Sequence, residues 1–173
     1  GAIAARCDAS LFDVDALAAA GRDAGNPVEP LVRALRERVG GAHARYVHRG
    51  ATSQDVLDTA AMLVARSARR LVLEELDGAA RECARLADAH RSTPMAGRTL
   101  LQQAVPTTFG YKAAGWLAGL LEARERLDRV PLPAQLGGAA GTLAAFGARG
   151  QEVLSRFAAE LELAEPLVPW HAR

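Results

Sequence analysis

Between Ser53 and His90 the chain carries no proline, and its single glycine is Gly78. Apolar residues recur there at Leu57, Ala61, Val64, Ala68, Val72, Leu76, Ala79, Cys83 and Leu86, always three or four positions apart. That spacing lines them up on one face of a helix, close to the repeat of a coiled coil. Such a helix is roughly 57 Å long at 1.5 Å per residue, about three times the usual globular length. A stripe of that extent needs partners along its whole length, which demands a long helical bundle.

The flanking patterns are helical as well. Asp13 can cap a helix running to about Ala24, which Gly25-Asn26-Pro27 ends. Pro30 sits in the first turn of a helix carrying Leu31, Leu35 and Val39, stopped by Gly40-Gly41. Downstream, Phe109, Ala113, Trp116, Leu120, Ala123 and Leu127 predict a second long helix from about Pro106 to Val130, ended by Pro131 and Pro133. A glycine-rich turn over 135–142 follows. A third helix is then expected to about Leu161, with Leu143, Phe146, Val153, Leu154, Phe157 and Leu161 on one face. No strand pair and no internal repeat stands out. The expectation is an all-α fold, a long helical bundle: residues 1–50 as part of an N-terminal helical domain, 51–173 as the first part of a central bundle domain. The chain opens at Gly1-Ala2-Ile3 inside a helical pattern and stops after a proline-rich turn, so it reads as a fragment. Three striped helices leave a seam open, to be filled by further helices, by other subunits, or by both. Oligomerisation is therefore expected.

Charge narrows the function. Twenty-one basic residues face twenty acidic ones, for a net charge of +1. Nucleic-acid and membrane-surface binding both call for clustered excess charge, so neither partner is expected. Cys7 and Cys83 match no zinc or redox spacing, and Cys83 falls on the apolar stripe as a buried free thiol. With no signal peptide and no apolar run of transmembrane length, the simplest compartment is the cytoplasm. No cluster has metal-ligand spacing.

Polar residues concentrate where the long helices begin or turn. The first cluster is His48-Arg49-Gly50-Ala51-Thr52-Ser53-Gln54-Asp55. Free N–H groups and partial positive charge at a helix start favour a carboxylate, and the Thr52 and Ser53 hydroxyls add donors. Either residue can equally be a plain N-cap, and Asp55 can serve only to complement the helix dipole. His48 beside this anion site is a candidate for proton chemistry as well as for a structural role. Arg49 can pair with a carboxylate or stay a solvated charge. The second cluster is Gly97-Arg98-Thr99-Leu100-Leu101-Gln102-Gln103, in which Thr99 and Gln102 can donate to carboxylate oxygens or satisfy their own turn. Gly137, Gly138 and Gly141 make either a tight helix–helix turn or a substrate-facing loop. His43 and His90 read as exposed and inert, and His171 as ambiguous.

Together these motifs resemble the fumarase/aspartase superfamily, most of all its 3-carboxy-cis,cis-muconate cycloisomerase branch. The resemblance runs from Gly25-Asn26-Pro27 with Pro30-Leu31-Val32, through Arg45-Tyr46-Val47-His48 and Gly50–Asp55, to Gly97-Arg98-Thr99, Leu101-Gln102, Gly137-Gly138-Ala139 and Pro169-Trp170-His171. It implies an all-α homotetramer that pools its central helices, with each site built from three subunits. It also implies cofactor-free chemistry on a small polycarboxylate through an aci-carboxylate. Under it, Thr52, Ser53, Arg98, Thr99 and Gln102 would bind substrate, and His48, Ser53 and Thr99 would be catalytic. The superfamily's lyases read G-R-T-H where this chain has Leu100; the cycloisomerases also lack that histidine, so leucine fits their branch. The family's third segment, a mobile loop whose serine is the expected base, is not among these residues. A carbon–nitrogen lyase of the same superfamily is the alternative, and a non-catalytic oligomerisation module a further one.

Overall fold

A computed structural model describes residues 1–171. The helices are α1 (Val14–Ala24), α2 (Val28–Val39), α3 (Ser53–Ala89), α4 (Phe109–Arg129) and α5 (Gly150–Glu160), and strands β1 (Pro94–Thr99) and β2 (Gln102–Thr108) lie between α3 and α4. Short 3-10 turns occupy Ala4–Arg6, Ala9–Leu11, Gly41–Tyr46 and Ala144–Arg149. The all-α expectation holds, with one small exception in the hairpin. No helix among the described residues is long and apolar enough to cross a membrane.

The sequence signals explain most boundaries. Asp13 Oδ1 accepts from Ala16 N at 3.0 Å and starts α1, which ends at Gly25 in the left-handed region (φ 76°). Asn26 Oδ1 accepts from Val28 N and Glu29 N and so starts α2. Helix α3 runs unbroken for 37 residues, about 55 Å.

Five expectations fail. The chain opens in two 3-10 turns, Ala4–Arg6 and Ala9–Leu11, not in a longer helix. A strand pair exists: β1 and β2 form an antiparallel hairpin, with Thr99 opposite Gln102 and Pro94 opposite Thr108. Consequently α4 starts at Phe109, not near Pro106. Pro106 pairs with Ala96 in the ladder, and Thr108 Oγ1 caps the helix by accepting from Tyr111 N at 3.1 Å. A two-stranded ribbon consists only of edges, so a proline lacking its N–H is tolerated. The third helix is also delayed, because Leu143 has φ 55° and Gly147 breaks the 144–149 segment; regular α-helix begins only at Gly150. Finally, Cys83 is half-buried, not buried, and Cys7 is exposed.

The chain divides into two compact units, α3 beginning in one and continuing in the other. The first comprises Gly1–Val64 with the stretch from Leu132 onward. Its core is Ala134, Ala158 and Leu163, packed by Met62, Leu63, Leu132, Phe157 and Leu161. Ala134 N donates to Ala164 O, and Ala164 N to Leu132 O, both at 2.9 Å, which ties the strand-like 132–134 segment to the chain after α5.

The second unit is Ala65–Pro131. Here α4 runs back along α3. Gly110 lies so close to its end that an added Cβ would stand 2.6 Å from Ala87 O and 2.7 Å from His90 O. Asp77 and Arg124 form a two-pronged ion pair further along, and Arg69 Nη1 donates to Val130 O at 2.7 Å near the far end. The arginine holds the Asp77 carboxyl below its ordinary value through their hydrogen bond. His90 is not inert. Its ring packs edge-on against Phe109, centroids 5.0 Å apart, and its carbonyl accepts from Gly110 N.

Candidate active site

The first polar cluster sits at the start of α3. Its organiser is Asp55, whose side chain is 2 % exposed. Oδ2 accepts from Thr52 N at 2.8 Å and from Gly138 N at 2.9 Å. Oδ1 accepts from Gly137 N and from Gln135 Nε2, both at 2.9 Å. Asp55 thus does more than complement a dipole. It reaches back to Thr52 N, as the acidic member of a capping box does, and it docks the glycine-rich turn. The Gly137 and Gly138 N–H groups point inward at this carboxylate, which favours the tight-turn reading over a substrate-facing loop. Because Asp55 does the capping, the hydroxyls of Thr52 and Ser53 make no hydrogen bond among the described residues.

Behind Asp55 lies a buried polar chain. Gln135 is fully buried. Its backbone exchanges two 2.9 Å bonds with Thr59 Oγ1. Its side-chain Oε1 accepts from Trp170 N at 2.7 Å, and Nε2 lies 2.6 Å from His171 Nδ1. His171 Nε2 lies 3.0 Å from Gly138 O. Every buried side-chain polar atom among the described residues finds a partner. His171, ambiguous in the sequence, is therefore an integral part of this network. The Gly137 backbone is hemmed in, since an added Cβ would meet Pro169 Cβ at 2.7 Å and His171 Cε1 at 3.1 Å.

His48 and Ser53 come together in the first unit. With Arg33, Arg36 and Glu29 they line a cavity of about 390 Å³. His48 is held at φ 58°, a left-handed conformation uncommon outside glycine. Burial, then the Arg36 charge, push its pKa below the ordinary histidine value, while Asp55 pulls the other way. A neutral imidazole able to accept a proton follows. Arg36 donates through Nη2 to Val47 O at 3.1 Å, and its charge bears on His48. Arg49 instead lies over the Tyr46 ring, 5.7 Å from its centroid. Helical spacing placed Arg36 in the last turn of α2 and gave no sign that it faced the His48 segment.

The second cluster is the hairpin itself. Thr99 and Gln102 are directly opposite, so their side chains leave the same side of the ribbon. Leu100 and Leu101 form the turn with φ 47° and 63°, almost fully exposed. Arg98 faces elsewhere. With Met95, Thr107, Tyr111 and Lys112 it lines a cavity of about 590 Å³, of which neither Thr99 nor Gln102 is a lining residue. Lys112, the chain's only lysine, adds a second cation there, with Nζ 5.5 Å from the Trp116 ring. Sequence reading missed it because its neighbours fit an ordinary amphipathic helix. The two clusters are organised in separate units. No group of three or more His, Cys, Asp or Glu among the described residues could hold a metal.

A profile of a family described as lyase matches residues 2–171. A 3-carboxy-cis,cis-muconate cycloisomerase from Bradyrhizobium diazoefficiens is 50 % identical over 99 % of the chain and 39 % of its own length. A nitrosuccinate lyase from Streptomyces davaonensis is also 50 % identical, over 92 % of the chain and 36 % of its own length. The crystal structure of the 3-carboxy-cis,cis-muconate lactonizing enzyme from Pseudomonas putida superimposes with a TM-score of 0.92 at 44 % identity, covering 98 % of this chain and 40 % of that one. The chain thus spans about two-fifths of the length of these relatives.

Proposed function

The chain belongs to the lyase family of the fumarase/aspartase superfamily, and on that premise we propose that it forms part of a cycloisomerase closing 3-carboxy-cis,cis-muconate to carboxymuconolactone. In that reaction one carboxylate oxygen attacks an alkene carbon of the same molecule. The neighbouring carbon takes a proton, and no group leaves. The state between is an aci-carboxylate, with two negative charges on one group, and it needs preorganised donors. Thr52 and Ser53 at the α3 start would supply them in the first unit, Thr99 and Gln102 in the second. Arg98, on the other side of the ribbon beside Lys112, is left out of this donor set, and the proton would be handled by His48 together with the family's loop segment outside these residues.

The observation that carries the reading is Leu100, standing between Thr99 and Gln102. An amine-releasing lyase needs a proton donor for its leaving group, whereas lactonisation has none to protonate, so leucine is chemically adequate there. Exposed apolar side chains along α3 and α4, among them Val64, Leu71, Val72 and Leu121, support a homotetramer sharing these helices.

The test is the loss of diene absorbance when the whole protein meets 3-carboxymuconate. Turnover of nitrosuccinate, adenylosuccinate or argininosuccinate in its place would sink the proposal. The likeness to a nitrosuccinate lyase makes carbon–nitrogen cleavage the second reading, and the same substrate panel decides between them.

A further inference from the structure

We propose that His171 is a positioning residue for the first carboxylate site, acting through Gln135 and Asp55 as a neutral imidazole with its proton on Nε2. The wiring follows from counting donors. Gln135 Oε1 accepts from two backbone N–H groups, Trp170 N at 2.7 Å and His171 N at 3.4 Å. That fixes which end of the amide is oxygen. The NH2 end therefore faces Asp55 Oδ1 at 2.9 Å and His171 Nδ1 at 2.6 Å, and each of its two protons has one acceptor. Nδ1 must accept, so Nε2 carries the proton and donates to Gly138 O at 3.0 Å.

The reversed amide fails. It would set Oε1 against the Asp55 carboxylate and NH2 against two backbone N–H groups. An imidazolium fails as well, because its second N–H would point at the Gln135 NH2. Asp55, whose Oδ1 lies 3.8 Å from Nδ1, is the ionisable group facing the ring. Its attraction for a cation is opposed by the loss of the Gln135 bond and by a ring only 8 % exposed.

The mechanical consequence reaches the site. His171 grips Gly138 O and Gln135 Nε2; Asp55 grips Gly137 N, Gly138 N and Thr52 N. Turn and helix start are thereby one rigid body, and the Thr52 and Ser53 hydroxyls are aimed by it. This rests on the reading that those hydroxyls bind a substrate carboxylate.

Two measurements on the whole protein test it. In 15N-histidine-labelled protein, the His171 signal, assigned by its loss in His171→Asn, should show an unprotonated Nδ1 and a protonated Nε2 at neutral pH. An Nδ1–H tautomer or an imidazolium overturns the wiring. Kinetically, His171→Leu should raise KM for the polycarboxylate turned over by about tenfold or more, because sub-ångström misplacement is that costly. His171→Asn, which can keep the acceptor for Gln135, should stay within about threefold. Should the leucine variant not fold, His171→Gln, whose longer side chain can carry its NH2 to Gly138 O but sets no acceptor at the Nδ1 position facing Gln135 Nε2, should also raise KM. Wild-type KM in the leucine or glutamine variant overturns the positioning role. The NMR measurement needs no substrate, so a wrong substrate assignment leaves the tautomer result standing.

Discussion

Asp55 and Gln135, eighty positions apart in sequence, meet through a single 2.9 Å hydrogen bond between two side chains almost wholly removed from water. Asp55 serves four N–H donors at once, from Thr52, Gln135, Gly137 and Gly138. In Asp55→Asn one oxygen becomes an NH2 facing those donors, so at least two lose their acceptor. Unfolding should be easier by about 3 kcal/mol, the cost of breaking a buried charged network. An unchanged denaturation midpoint would show that the network carries no stability.

Ser53 tests the opposite combination. Its hydroxyl makes no hydrogen bond among the described residues, so Ser53→Ala should leave the melting temperature in place and slow turnover by about tenfold or more, as loss of one preorganised oxyanion donor does. A lower melting temperature with unchanged turnover would identify Ser53 as a helix cap only.

His48 should leave a mark in the pH profile. Its folded pKa is pushed below the ordinary value by burial, then by Arg36, with Asp55 opposing. A depressed pKa means that the folded state binds the proton less well than the unfolded chain. The contribution to stability is therefore full above the unfolded value of about 6.5 and is lost as pH falls through the folded one. The acid limb of kcat/KM should likewise lie below about 6.5 and disappear in His48→Gln. A limb that persists in that variant belongs to another group.

Gly110 packs against backbone, not against movable side chains. An added Cβ would come within 2.6 Å of Ala87 O, 2.7 Å of His90 O and 2.8 Å of Arg91 Cα. Gly110→Ala should lower unfolding stability by about 1–3 kcal/mol, the range for overpacking. Gly115→Ala is the control: no atom lies within 4 Å of its added Cβ, so its helix should gain or stay level.

What the sequence disclosed and what it hid divide along a physical line. Helix α3 was readable end to end because its apolar residues repeat at three and four, its start is a polar cluster and no proline interrupts it. The same periodicity misled at Pro106, where helical spacing from Phe109 onward was extended backwards into a strand. The hairpin gave no warning. Its turn is Leu100-Leu101, whereas two left-handed residues in succession usually announce themselves as Asn-Gly. Three of the four partners of Asp55 were hidden for another reason: Gln135, Gly137 and Gly138 lie 80 or more residues from it, and no local pattern encodes such a meeting. His48 and Ser53 were found because they neighbour one helix start. Arg36 and Lys112 were not, since each fits the ordinary amphipathic pattern of its own helix.

The hairpin turn has a further consequence. Side chains alternate between the faces of a ribbon, and Thr99 and Gln102 share a face only because two residues, no more and no fewer, separate them. Adding or removing one residue at Leu100–Leu101 would turn Gln102 to the opposite face, unless a new bulge absorbed the change. The turn is thus a spacer: its side chains can vary with the chemistry served, whereas a one-residue change in its length calls for a compensating bulge.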